Sequence, residues 1–181
     1  ISCQLPIVNP NTVARPFDLN GDGITEFITL EKTTNTFSAE INVYKLDMTT
    51  IPYSLVHVQQ KRLLMGNAQV GGRDFLNHIT IGDFNGDGNS DLAYMNAFLS
   101  DLKVLYSDGT QFLNEQTISQ FTSILAQTFA EFIVRASDLN QDGKSDIIIA
   151  NDQNNAGFVL PNYFTYYFLG DNLVSKGPSY S

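Results

Sequence analysis

The chain has 181 residues, 43% of them apolar, with a formal net charge of −9 and a pI near 4.4. That length and composition can bury a core, and the acidity without a basic patch excludes nucleic acid as an expected partner. No apolar run nears the roughly 18 residues that a membrane-spanning helix needs, so no membrane span is expected.

Taken in chain order, residues 13–17 read as a strand that runs into an acidic loop at 18–26 (DLNGDGITE). Residues 27–30 (FITL) lead out of the loop as a second strand. A third is expected over 37–46 (FSAEINVYKL), with Ile41 and Val43 inward and Tyr44 and Leu46 as further inward candidates, and a fourth over 53–63. The pattern then recurs. Residues 77–82 (NHITIG) enter a second loop at 83–91 (DFNGDGNSD), 92–97 leave it, 102–106 form the next strand, and Ser107-Asp108-Gly109 turns into a strand from 111. Residues 117–130 (TISQFTSILAQTFA) break the scheme. Their Ile118, Phe121, Leu125 and Phe129 fall at helical spacing, so a short inserted helix is expected, with a distorted outer strand as the alternative. A third unit follows: strand 132–136, loop 138–146 (DLNQDGKSD), strand 147–150, strand 163–169, a turn at 170–172 and strand 173–175. The strand segments are short, rich in β-branched and aromatic residues, and bounded by turn formers.

The three loops share Asp-x-Asn-x-Asp-Gly-x-x-Asp/Glu and start at residues 18, 83 and 138. Oxygen-bearing side chains fall at positions 1, 3, 5 and 9: Asp18, Asn20, Asp22 and Glu26; Asp83, Asn85, Asp87 and Asp91; Asp138, Asn140, Asp142 and Asp146. Ca²⁺ takes six to eight oxygens at about 2.3–2.6 Å, and a curled loop supplies them from alternate residues. Glycine at position 6 suits a bend at positive φ. Position 7 (Ile24, Asn89 and Lys144) offers its backbone carbonyl, which leaves the side chain free to vary. Asx-rich turns carry the same residue types, but three copies matching at five fixed positions favour about three Ca²⁺, one per loop. Each loop holds three carboxylates, so nine of the 19 acidic residues belong to metal sites rather than to an acidic tail.

Four strands per unit of roughly 50–65 residues is the signature of a propeller blade. The expected fold is therefore all-β: a partial β-propeller of about three four-stranded blades over 1–74, 75–130 and 131–181, with each calcium loop between the first and second strands. An EF-hand needs a bidentate Glu at position 12 between two helices; here position 12 is Thr29, Tyr94 or Ile149, between strands. The loops and their flanks, above all Ile79-Thr80-Ile81-Gly82-Asp83-Phe84-Asn85-Gly86-Asp87-Gly88, together with the turn 107–112 (SDGTQF), resemble the FG-GAP and VCBS repeat family. That family comprises the calcium-loop blades of integrin α-subunits and of many secreted bacterial proteins. With no literal Phe-Gly…Gly-Ala-Pro string, the bacterial branch is the nearer likeness, and Rhs/YD-repeat or toxin-complex B-like proteins are conceivable parents.

Closed propellers need four to eight blades, and three leave faces and edges that invite association. The expected partners are the remaining blades of a parent chain and a protein or glycan ligand. The amino terminus lacks an initiator Met and a signal-peptide pattern and reads as the edge of a cut-out segment. Cys3, the one cysteine, has no partner within the chain: a spare thiol, a small buried residue, or half of a bridge to another part. Carboxylate-rich loops of this kind bind at about 10⁻⁴–10⁻³ M, which suits extracellular calcium and a secreted or cell-surface location. No catalytic residues are expected. His57 and His78 fall in different repeats, and there is no Gly-x-Ser-x-Gly elbow or His-Glu-x-x-His. Gly143-Lys144-Ser145 lacks the earlier glycine of a phosphate loop, since Asp138 stands there. Arg73 and Asp74 read as an inter-blade loop. The run Tyr163, Phe164, Tyr166, Tyr167 and Phe168 is a strand or a sugar-stacking platform. A non-catalytic structural and interaction module is the leading reading; a polysaccharide lyase-like propeller enzyme or a lectin is the alternative.

Overall fold

A computed structural model of the chain describes residues 13–32, 38–49, 51–65, 78–96, 101–120, 131–152, 164–169 and 172–176. Every element among them is a strand. The first sheet contains β1 (Val13–Phe17), β2 (Glu26–Lys32), β3 (Ser38–Asp47) and β4 (Ser54–Leu64). The second contains β5 (Ile79–Gly82), β6 (Asp91–Asn96), β7 (Asp101–Ser107) and β8 (Phe112–Gln120). The third contains β9 (Glu131–Ser137), β10 (Asp146–Asp152), β11 (Phe164–Leu169) and β12 (Asn172–Lys176). Each sheet is a simple antiparallel meander in chain order, and they do not close into a barrel.

Period-two alternation decides how the sheets stack. On β6, Leu92 and Tyr94 face the first sheet, joining Phe17, Ile28, Leu30, Ile41, Val43 and Leu63 in one core. Ala93 and Met95 face the other way, joining Leu102, Val104, Val134, Ile147 and Ile149 in a second core. All six residues of β6 are therefore buried, as in a strand covered on both faces. The second and third sheets converge at their first strands, where β5 and β6 approach β9.

Polar side chains also tie the first two sheets together. Gln59 Oε1 accepts the Phe112 N–H (2.9 Å), while its Nε2 donates to the Phe112 carbonyl (2.8 Å). Lys61 Nζ donates to the carbonyls of Phe112 and Leu113. Beneath them the buried Tyr94 hydroxyl donates to Glu115 (2.5 Å), which Lys103 approaches at 3.5 Å.

The structure departs from the sequence reading in two places. Thr117 to Gln120 belong to β8 rather than to a helix. Thr117 pairs with Lys103, and Ile118 packs against the second core, so cross-strand burial outweighs the helical spacing; residues 121–130 lie outside the described set. The second concerns the face of the first sheet turned away from the second sheet, where Phe27, Tyr44, Leu46 and the exposed Leu64 stand beside polar side chains. These are Thr29, Glu31, Glu40, Asn42, Gln60 and Arg62, knit by Gln60 to Glu40 (3.1 Å) and Arg62 to Ser38 (2.9 Å). Tyr44 lies on this face beside His57, and Leu46 on the same side is half-buried; only Ile41 and Val43 of the four candidates reach the core. Cys3, Arg73, Asp74 and Tyr163 lie outside the described residues, as do the side chains of β11.

Truncating Gln59 leaves the buried edge of Phe112 without its partners, and an unsatisfied buried amide costs about 1–3 kcal/mol. Gln59→Ala should lower the unfolding free energy by that order in urea titration. Gln60→Ala, on the exposed face, should change it by less than about 0.5 kcal/mol.

Candidate metal centres

Each acidic loop joins the first and second strands of its sheet. The closing pairs are Phe17 with Glu26, Gly82 with Asp91 and Ser137 with Asp146. Inside the loops one hydrogen-bond pattern occurs three times. The position-1 carboxylate accepts the position-6 N–H: Gly23 to Asp18 (2.8 Å), Gly88 to Asp83 (2.9 Å) and Gly143 to Asp138 (3.0 Å). The position-3 amide oxygen accepts the position-5 N–H, from Asp22 to Asn20, Asp87 to Asn85 and Asp142 to Asn140. Its nitrogen donates to the position-5 carboxylate at 2.9 Å in every loop. That carboxylate accepts the N–H of position 7, from Ile24, Asn89 and Lys144.

Position 9 is the buried end of the loop. Glu26 is 2% exposed, and Asp91 and Asp146 are fully buried. Each carboxylate accepts the position-2 N–H: Leu19 (2.8 Å), Phe84 (3.0 Å) and Leu139 (2.7 Å). Asp91 also accepts the Ser107 N–H from β7 (2.8 Å). Burial pushes the Asp91 carboxyl up to about 6; the Ser107 and Phe84 amides oppose this, and the charges of Asp87 and Asp83 add to it. The exposed position-5 carboxyls are held below the usual range, Asp22 by the Asn20 amide and Asp142 by the Lys144 N–H.

Two features escaped the sequence reading. Position 4 also takes positive φ, at Gly21 (70°), Gly86 (80°) and Gln141 (62°). Glycine at this position in the first two loops was the visible signal; in the third, Gln141 adopts a conformation that L side chains avoid. Position 8 makes contacts between loops. Ser90 N donates to the Leu19 carbonyl (3.1 Å) and Ser145 N to the Asp83 carbonyl (2.6 Å). The three loops thus stand in a row. The β7–β8 turn flanks it, because a Cβ on Gly109 would meet Asn89 Oδ1 at 2.8 Å and Asn20 Cβ at 3.4 Å.

Among the described residues, no group of three or more His, Cys, Asp or Glu side chains gathers at metal-holding distance, since the loop oxygens turn largely to backbone amides. Asp18 Oδ1 is the exception: it is buried and has no hydrogen-bond partner among the described residues. An ionised oxygen in that state is costly unless a cation or donor meets it, so the donor set of hard oxygens fits Ca²⁺. Asp18, Asn20, Asp22, Glu26 and the Ile24 carbonyl would hold it, with the matching sets in the other two loops. Of the histidines, His57 is exposed on β4 beside Asn42 and Tyr44, while His78 is buried just before β5. The chain matches no family model and no curated protein sequence.

Asp91 gives the metal-free protein a distinctive pH dependence. Its folded pKa lies above the ordinary value of 3.8, so between about pH 4 and 6 the folded state binds more protons than the unfolded state and stability falls as pH rises. The carboxyls whose pKa is lowered act in the opposite sense below that window. In chelator, urea midpoints should decline from about pH 4 to 6, and Asp91→Asn should flatten that decline.

Proposed function

We propose that this chain is a non-catalytic, calcium-binding segment of β-propeller type that serves a secreted or cell-surface protein as a structural and interaction module. The observation that carries the proposal is the recurrence of one loop geometry between the first and second strands of all three sheets, with a buried carboxylate oxygen at Asp18 that has no partner among the described residues. Further support comes from the stacking of the sheets, the second and third of which converge at their first strands. Among the described residues no helix is long and apolar enough to cross a membrane.

Calcium acts here by offsetting repulsion among three carboxylates per loop and the cost of burying the one at position 9. Each ion fastens the first strand of a sheet to its second. Further sheets of a longer polypeptide, of the FG-GAP/VCBS type, are the proposed neighbours. They would meet the third sheet, whose outer face presents Ile133 and Ile148. The ligand that such a module engages is a protein or a glycan.

A ligand that binds only the folded state stabilises it by RT ln(1 + [L]/Kd), about 2.7 kcal/mol at a hundred times Kd. Calorimetric titration of the chelated protein should show about three sites, with Mg²⁺ a poor substitute because it demands a stricter octahedral shell. Chelation should lower the melting temperature, and Asp87→Ala should remove one site and part of that shift. Glu40→Gln, on the face of the first sheet turned away from the second, should leave both unchanged. A flat titration to millimolar Ca²⁺ would sink the proposal.

A further inference from the structure

We propose that the three loops take up calcium as a coupled row, each loop's state passed to its neighbour through a single shared peptide group. The inference rests on the calcium reading above and extends it from three separate sites to one linked device.

The coupling element is the peptide between positions 7 and 8. In the second loop it joins Asn89 to Ser90, and in the third Lys144 to Ser145. Its carbonyl is the backbone oxygen offered to the cation, and its N–H is the donor that reaches the neighbouring loop: Ser90 to Leu19 and Ser145 to Asp83. The only cis bond among the described residues is Ile51-Pro52, so these peptides are trans. A planar trans peptide points its C=O and N–H in opposite directions. An N–H aimed at the neighbouring loop therefore turns the carbonyl away from that neighbour.

On the acceptor side the relay continues. The Asp83 carbonyl belongs to the same peptide as the Phe84 N–H, which donates to the buried Asp91. A cation drawing on the Lys144 carbonyl thus strengthens a chain that runs through Ser145, Asp83 and Phe84 to the position-9 carboxylate of the second loop. Hydrogen bonds in series polarise one another. The contacts around this chain leave little slack. A Cβ on Gly21 would stand 2.5 Å from the Gly88 carbonyl oxygen, and one on Gly86 would stand 2.8 Å from Lys144 Cε. Neighbouring loops cannot change shape independently. Ordering one by a cation spares part of the ordering that its neighbour requires, which is positive coupling.

The test is a Ca²⁺ titration of the whole chain followed by NMR at the amides of Gly23, Gly88 and Gly143, one reporter in each loop. Asp87→Ala removes a proposed ligand of the middle loop alone. It should weaken binding at the first and third loops by at least about fivefold, the lower end of ordinary site-to-site coupling. Gly82→Ala leaves every proposed ligand in place but drives a methyl group to 2.6 Å from Ser145 Oγ and 3.1 Å from Ala136 Cβ. Added to that background it should make the third loop indifferent to Asp87→Ala while the first still responds. Should Asp87→Ala not fold, Asp22→Ala serves: the second loop should lose at least about fivefold and the third less. Wild-type midpoints at the first and third loops of Asp87→Ala would overturn the coupling while leaving the calcium sites standing. No response at any reporter in the wild type would overturn both.

Discussion

A buried carboxylate at the start of the second strand is the constraint on which the rest of this structure depends. Glu26, Asp91 and Asp146 stand at the point where each loop re-enters its sheet, and each holds the N–H of the second loop residue. Without that acceptor the loop could not close back onto the first strand, and the registers Phe17–Glu26, Gly82–Asp91 and Ser137–Asp146 would lose their anchor. At Asp91 the arrangement carries an inherent tension. Burial disfavours the charge, as the upward shift at Asp91 records, yet the same burial makes the carboxylate a strong acceptor. A divalent cation beside it would relieve the tension by favouring the ionised form. The alternative relief, protonation, would weaken the acceptor that the loop needs.

Stacking follows from where these anchors place the strands. Once the loop fixes the register of the first two strands, alternation determines which side chains of β6 face each way. Leu92 and Tyr94 go to one core and Ala93 and Met95 to the other. The second sheet is thus the shared layer of the molecule, and its loop is likewise the middle one of the row. Gln59 and Lys61 extend the same union on the outer side, where β4 meets the start of β8.

Much of this was legible in the chain because each feature had a local cause. Asp and Asn at odd positions with glycine at position 6 describe a loop whose bonds run within nine residues, and β-branched runs such as Ile147 to Ile149 describe strands. Features decided by remote partners were not legible. Ile118 carries a helical spacing with Phe121, but β7 pairs with Thr117 and Ser119 on either side of it, and the second core packs against it. Position 4 needs positive φ for a reason visible only once the loop is closed, and Gln141 gave no sign of it. Ser90 and Ser145 look like ordinary turn residues; their role lies in backbone N–H groups, which no side-chain pattern reports. Tyr44 and Leu46 were inward candidates that fall on the other face, because the β-bulge and the neighbour that define the core side are set by remote strands.

The row of loops and the stack of sheets are one arrangement seen from two sides. The sheets pack face to face, and the loops that follow their first strands touch, the second against the first and the third against the second. Nine carboxylates gathered along one end repel one another, and that repulsion pushes apart the same strands that the apolar cores pull together. The amides that line each loop soften this repulsion, though they bring no net positive charge. Asp18 Oδ1, buried without a donor among the described residues, marks where the amides run out. Cations at the row would reverse the balance, turning the end where the sheets repel into the end where they are fastened. That makes the packing of the first sheet on the second, and of the second on the third, depend on chemistry at their loops as well as on the area buried between them.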